Sequence, residues 1–99
     1  MEQRLDLGLE RHDGTTVVTV AGELDMATAP ELRECLARTE QYVVVDLRAV
    51  SFLDSSGIGA MIEARRRLRD EGGDLRLRKA QGIVREALEV TGLGDWIDD

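Results

Sequence analysis

Tyr42-Val43-Val44-Val45-Asp46-Leu47, and after it Asp54-Ser55-Ser56-Gly57-Ile58-Gly59, decide how this chain folds. The first run is almost continuously apolar, which predicts a strand of the kind covered on both faces, as in the centre of a parallel sheet. The second opens a stretch in which Ile58, Met61, Ile62 and Leu68 recur at helical spacing, and Gly72-Gly73 marks its end. A strand followed by a helix places Ser55 and Ser56 at a helix N-terminus. Free backbone N–H groups and the positive end of the helix dipole hold an anion there. A serine in that place is a cap, a nucleophile, or a hydroxyl that accepts a phosphoryl group.

Towards the N-terminus, Leu5, Leu7 and Leu9 alternate with Asp6, Gly8 and Glu10, the period of a half-buried strand. Asp13-Gly14 gives a tight turn, and β-branched Thr15 to Ala21 forms the second strand of a hairpin. Gly22-Glu23-Leu24-Asp25 breaks that pattern. Ala29, Leu32, Cys35 and Leu36 then predict a helix between Thr28 and Arg38, with Thr28 as N-cap, Glu31 completing a capping box and Pro30 in the first turn. Towards the C-terminus, Leu75 and Leu77 alternate with Arg76 and Arg78 as a strand with one wet face. Ile83, Val84, Ala87 and Leu88 mark a further helix closed by Thr91-Gly92, and Leu93 to Ile97 pack back as a short strand or coil. The order β-β-α-β-α-β-α implies right-handed crossovers, a largely parallel sheet and helices on at least one face. Sites in such sheets lie beyond the C-terminal ends of the strands, which here means the loops around Asp25 and Ser55.

Composition narrows the function. The 99 residues predict one domain over 1–99, and an apolar fraction of 42% is that of a globular chain. Twenty acidic against thirteen basic residues, net charge −7, with three aromatics, argue against a direct nucleic-acid binder and favour a protein partner. Cys35 is the single cysteine, so neither an internal disulfide nor a cysteine-rich metal cluster is expected. Met1-Glu2-Gln3-Arg4 leads into no long apolar run, and no stretch reaches the ~20 apolar residues of a membrane span. The expectation is a cytoplasmic protein without cofactor or metal.

Catalytic readings find little support in the residues. A serine nucleophile needs a base and an oxyanion hole, yet His12, the one histidine, falls in the predicted hairpin turn, and no Gly-x-Ser-x-Gly elbow surrounds Ser55. Glu23 and Asp25 are two carboxylates on a strand-to-helix loop, with no substrate pocket implied beside them. Arg65-Arg66-Arg67-Leu68-Arg69 is read as an ion-paired outer helix face, because Glu63/Arg67, Arg66/Asp70 and Arg67/Glu71 are each four apart. Trp96 is expected at the core or a packing edge. Phosphoacceptor chemistry asks least of the chain: an exposed hydroxyl, a neighbouring glycine and a partner kinase. A phosphoserine carries about −1.5 to −2 charge at pH 7. Beside Asp54 and near Asp25, that charge repels an acidic partner patch.

The segment Val45 to Gly59 resembles the signature of the STAS family, the sulfate transporter and anti-sigma factor antagonist domains. Gly22-Glu23-Leu24-Asp25 and Val90-Thr91-Gly92-Leu93 resemble two further landmarks, so the likeness runs from about Leu5 to Ile97. Among its members, a chain of this length with Asp-Ser-Ser-Gly most resembles the bacterial anti-anti-sigma factors. The resemblance implies an α/β fold: a mixed, largely parallel sheet of four to five strands after an N-terminal hairpin, packed with three to four helices. It implies a non-enzymatic monomer or weak dimer that, unphosphorylated, binds an anti-sigma factor serine kinase and frees the sigma factor. Phosphorylation on Ser55 ends that binding, and a PP2C-type phosphatase restores it. Glu23, Asp25, Met26, Asp54, Ser56, Gly57, Ile58 and Gly59 would form the contact surface around Ser55. The alternative within the resemblance is an unphosphorylated STAS scaffold or transporter-accessory module.

Overall fold

The computed structural model describes residues 5–99; Met1–Arg4, where the sequence suggested no leader, lie outside the described residues. The chain runs β1 (Asp6–His12), β2 (Thr15–Leu24), α1 (Ala29–Ala37), β3 (Tyr42–Leu53), α2 (Ser55–Asp70), β4 (Asp74–Arg78), α3 (Gly82–Val90) and a 3-10 turn (Gly94–Trp96). The strands form one sheet in the order β1-β2-β3-β4. β1 is antiparallel to β2 through the Asp13-Gly14 turn, while β2, β3 and β4 are parallel.

Because β2, β3 and β4 step in one direction across the sheet, right-handed crossovers put α1 and α2 on the same face. The burial pattern agrees. Thr16, Val43 and Leu75 are neighbours in one row, Val18, Val45 and Leu77 in the next, and all six are buried against the helices. Val17, Val44 and Arg76 alternate with them and stay partly exposed. The near-continuous apolar run of β3 is therefore covered by helices on one face only. On its other face Asp46, 8% exposed, accepts from Arg78 Nε of the next strand at 2.9 Å and from the Arg48 N–H at 2.9 Å. An acid is tolerated there because these two donors satisfy it.

Both middle strands outrun the sequence pattern. β2 continues through Gly22 to Leu24, and β3 continues to Leu53 past Arg48 and Ser51. Irregularities between Thr19 and Ala21 and between Gly22 and Glu23 take up the extra residues of β3, and Leu24 still pairs with Leu53. α2 and α3 end alike. Gly72 (φ 92°) and Gly92 (φ 88°) adopt the left-handed conformation that lets Gly73 and Leu93 donate back to Leu68 O (2.7 Å) and Leu88 O (2.8 Å). After α3, Ile97 forms a parallel bridge with Leu77 beyond the edge of β4.

Other expected details differ. The Thr28/Glu31 capping box does not form: the Thr28 side chain makes no cap bond to α1, and its hydroxyl donates instead to Glu23 O at 2.6 Å. Of the apolar positions that mark α3, Ile83 is 64% exposed, while Val84 and Leu88 are buried. Among the expected ion pairs only Arg67–Glu71 forms (3.1 Å); Glu63 binds Arg33 of α1 in a two-pronged contact, and Arg66 and Asp70 remain exposed. Trp96 packs against the core edge with the Arg65 guanidinium 4.1 Å above its ring.

Candidate functional site

The strand-to-helix junction is held by Asp54. It leaves the strand in an extended conformation (φ −117°, ψ −173°), and its carboxylate accepts from the Ser56 N–H at 2.8 Å. That is the N-cap role, and it satisfies one donor the first helical turn cannot. Its own N–H donates to Leu24 O at 3.0 Å, tying the end of β3 to the end of β2, and its carbonyl accepts from Ile58 N–H at 3.1 Å.

Ser55 is thus the first residue of α2, and it is exposed; Ser56 is half-buried. Gly57 and Ile58 are buried beneath them, and Gly59 is partly exposed. Gly57 is required by a close approach. A Cβ there would stand 2.8 Å from Leu53 Cδ1 and 2.9 Å from Leu24 Cβ. The glycine lets α2 rest directly on the ends of β2 and β3, and so presents Ser55 at the sheet's C-terminal rim. Gly59 meets nothing within 4 Å.

The second loop abuts this junction through the Leu24–Asp54 bond. The Asp25 carboxylate accepts from the Ala27 and Thr28 N–H groups at 3.0 and 3.1 Å, and Asp25 N–H donates to Thr28 Oγ1 at 3.0 Å. Asp25, three residues ahead of the cap position read from the sequence, therefore anchors the turn into α1. Its carboxylate builds the loop, and nothing about it suggests a free acid–base group. Glu23 is half-buried and Met26 is 76% exposed at the loop tip.

On the other side of Ser55 lies a feature the sequence reading missed. A groove of about 390 Å³ runs between the start of α2 and the flank of α3, with Leu53, Ser55 and Ile58 on one wall and Ile83, Ala87 and Val90 on the other. The available signal was the count of apolar positions in α3, which exceeds what one core-facing stripe needs. His12 ends β1 far from the junction in sequence, exposed and beside Glu10 (3.5 Å). The described residues hold no cluster of three or more His, Cys, Asp or Glu side chains that could bind a metal. Burial pushes the Cys35 thiol up, against a smaller opposing effect of Arg38, so it stays protonated in the core. Among the described residues, no helix is long and apolar enough to cross a membrane.

A mixed four-stranded sheet whose parallel strands end on a capped, exposed serine matches a known family: the STAS domain profile covers residues 6–98, and the chain belongs to that family. The chain is 34% identical to an anti-sigma-B factor antagonist of Listeria monocytogenes, over 90% of this chain and 82% of the relative. Among solved structures, the anti-sigma factor antagonist SpoIIAA in its unphosphorylated form superposes with a TM-score of 0.84 at 27% identity, covering 95% of this chain and 87% of the other. The Bacillus cell fate determinant SpoIIAA in its phosphorylated form gives 0.75 at 26% identity, covering 95% and 90%.

Proposed function

We propose that this protein is an anti-sigma factor antagonist whose Ser55 is the phosphoacceptor of a partner switch. The observation that carries the reading is the placement of Ser55: exposed, first in α2, with the Asp54 cap bonded to Ser56 and not to the acceptor. The Listeria anti-sigma-B factor antagonist, and SpoIIAA in its unphosphorylated and phosphorylated forms, support it. Unphosphorylated, the protein binds an anti-sigma factor and so frees a sigma factor.

The anti-sigma factor is a serine kinase. The Ser55 Oγ–P bond forms as the bond between the γ-phosphorus and ADP breaks, and the hydroxyl proton passes to a base on the kinase. The new phosphate sits at a helix N-terminus, where the dipole favours an anion by about 0.3–1 kcal/mol, so the fold accepts it. Towards the partner it adds about −1.5 to −2 charge opposite a nucleotide that is itself anionic, and the complex weakens. A PP2C-type phosphatase hydrolyses the ester and restores the hydroxyl. Glu23, Asp25, Met26, Asp54, Ser56 and Gly59 are accessible around Ser55, while Gly57 and Ile58 shape the surface from within.

The test is incubation with a serine-kinase anti-sigma factor of the same genome and ATP, with the mass gain mapped by peptide. Ser55 alone gains phosphate, Ser55→Ala remains unmodified yet binds, and Ser55→Asp loses at least about tenfold in affinity, or ~1.4 kcal/mol. Modification of Ser55→Ala, or full binding by Ser55→Asp, refutes the assignment; the latter result fits a fixed scaffold instead.

A further inference from the structure

Helix α3 buries only part of its apolar surface. Val84 and Leu88, four apart, face the core at 2% and 0% exposure. Ile83, Ala87 and Val90 stand at i, i+4 and i+7 and make a second stripe, with Ile83 64% and Val90 81% exposed. Large apolar side chains left uncovered at this spacing are the pattern by which helices and grooves recognise one another. The stripe forms one wall of the groove of about 390 Å³ whose opposite wall contains Ser55. Among the described residues, Asp54 and Glu86 are the only charged ones that line it, both acidic, in a chain of net charge −7.

We propose that this groove is the docking site for an apolar segment bearing Arg or Lys on the kinase that modifies Ser55. The inference rests on the reading of Ser55 as phosphoacceptor and adds the surface by which the kinase holds its substrate. Two observations choose the occupant. Ser55 itself lines the groove, so a macromolecule whose catalytic site closes over its hydroxyl also overlies Ile83 and Val90. Among the described residues the rim carries two carboxylates, Asp54 and Glu86, and no cation, which favours a segment with positive charge among its apolar anchors. Docking of this kind acts equally on the ground state and the transition state. It therefore sets KM and leaves kcat unchanged.

The experiment is steady-state phosphorylation by a serine-kinase anti-sigma factor of the same genome with ATP, comparing the wild type, the double variant Ile83→Ser/Val90→Ser, and Glu86→Gln. Both apolar side chains are largely exposed, so the unfolding midpoint of the double variant stays close to wild type, which is checked in the same preparation. The expected result is a KM for the protein substrate raised about tenfold or more with kcat unchanged, as loss of interface anchors gives. The wild-type KM should rise with ionic strength, and less so in Glu86→Gln. A folded double variant with wild-type KM, or one in which kcat falls while KM holds, overturns the docking site and leaves the Ser55 reading intact. Failure of the wild type to gain phosphate on Ser55 overturns both.

Discussion

Gly57 and Gly59 lie two residues apart in α2, yet the same substitution should move stability in opposite directions at the two positions. At Gly57 an alanine Cβ would stand 2.8 Å from Leu53 Cδ1 and 2.9 Å from Leu24 Cβ, well inside the ~4 Å of ordinary carbon contact. Leu53 Cδ1 can rotate away; Leu24 Cβ is fixed to a backbone that also accepts from Asp54 N–H, so α2 itself must lift. Overpacking of this kind costs about 1–3 kcal/mol. The helical preference for alanine returns up to about 1 kcal/mol, leaving a net loss of about 0–2. At Gly59 the added methyl meets nothing within 4 Å, so only the gain of up to about 1 kcal/mol remains. The two variants should therefore differ by about 1–3 kcal/mol. At about 4–8 °C per kcal/mol for a domain of this size, that is a gap of at least about 4 °C in thermal midpoint, Gly59→Ala above wild type and Gly57→Ala below or level with it. Urea unfolding followed by circular dichroism supplies the free energies, and the slope with denaturant checks that both unfold from the same state. Equal midpoints for the two variants, or a Gly57→Ala more stable than Gly59→Ala, would show that α2 does not rest on Leu24 as described.

Removing the Asp54 cap with Asp54→Ala should cost about 1 kcal/mol in chemical denaturation, since Ser56 N–H loses its acceptor; no change would mean water replaces the carboxylate without loss. Thr28→Val strips the donor from Glu23 O and the acceptor from Asp25 N–H at a residue only 2% exposed, and should destabilise by about 1–3 kcal/mol, read as a lower urea midpoint; a wild-type midpoint would contradict the network. Burial pushes the Asp46 carboxyl up, but the Arg48 N–H and the Arg78 guanidinium outweigh it and hold it below the usual carboxylate range. A carboxylate depressed in the folded state adds stability above its unfolded value of about 4, which is lost as pH falls through the folded value. Asp46→Asn should therefore show a shallower loss of thermal midpoint between about pH 5 and about pH 2; a profile parallel to wild type would remove Asp46 from the acid response.

Local chemistry was legible wherever one face of an element decided it. The Asp13-Gly14 turn, the helix inside Thr28–Arg38, and the glycine stops of α2 and α3 stand where the residues put them. The Asp-Ser-Ser-Gly junction was equally readable, because capping and close packing are written in neighbouring residues. The far half of β3 was not. Asp46, Arg48 and Ser51 break the apolar run, and the strand continues only because β2 lies alongside and Arg78 neutralises Asp46. Thr28 does stand at the N-cap of α1, as its type and spacing imply, but its buried hydroxyl is better used on the Glu23 carbonyl, and Asp25 supplies the acceptor for the turn. Glu63 chose Arg33 on another helix over Arg67 on its own, a preference that helix spacing cannot express. The α3 flank of the site escaped for the same reason: Ile83 and Val90 have the composition of core residues, and only the packing of α3 against β3 leaves them outside.

Asp54 grips Ser56 and leaves the hydroxyl beside it to the solvent. Under the proposed switch, esterifying Ser55 removes no internal support, so the modified chain keeps its fold. In that proposal a cell would have its history stored as a ratio between two folded populations, set by the competing rates of modification and its reversal and erased without making a new chain.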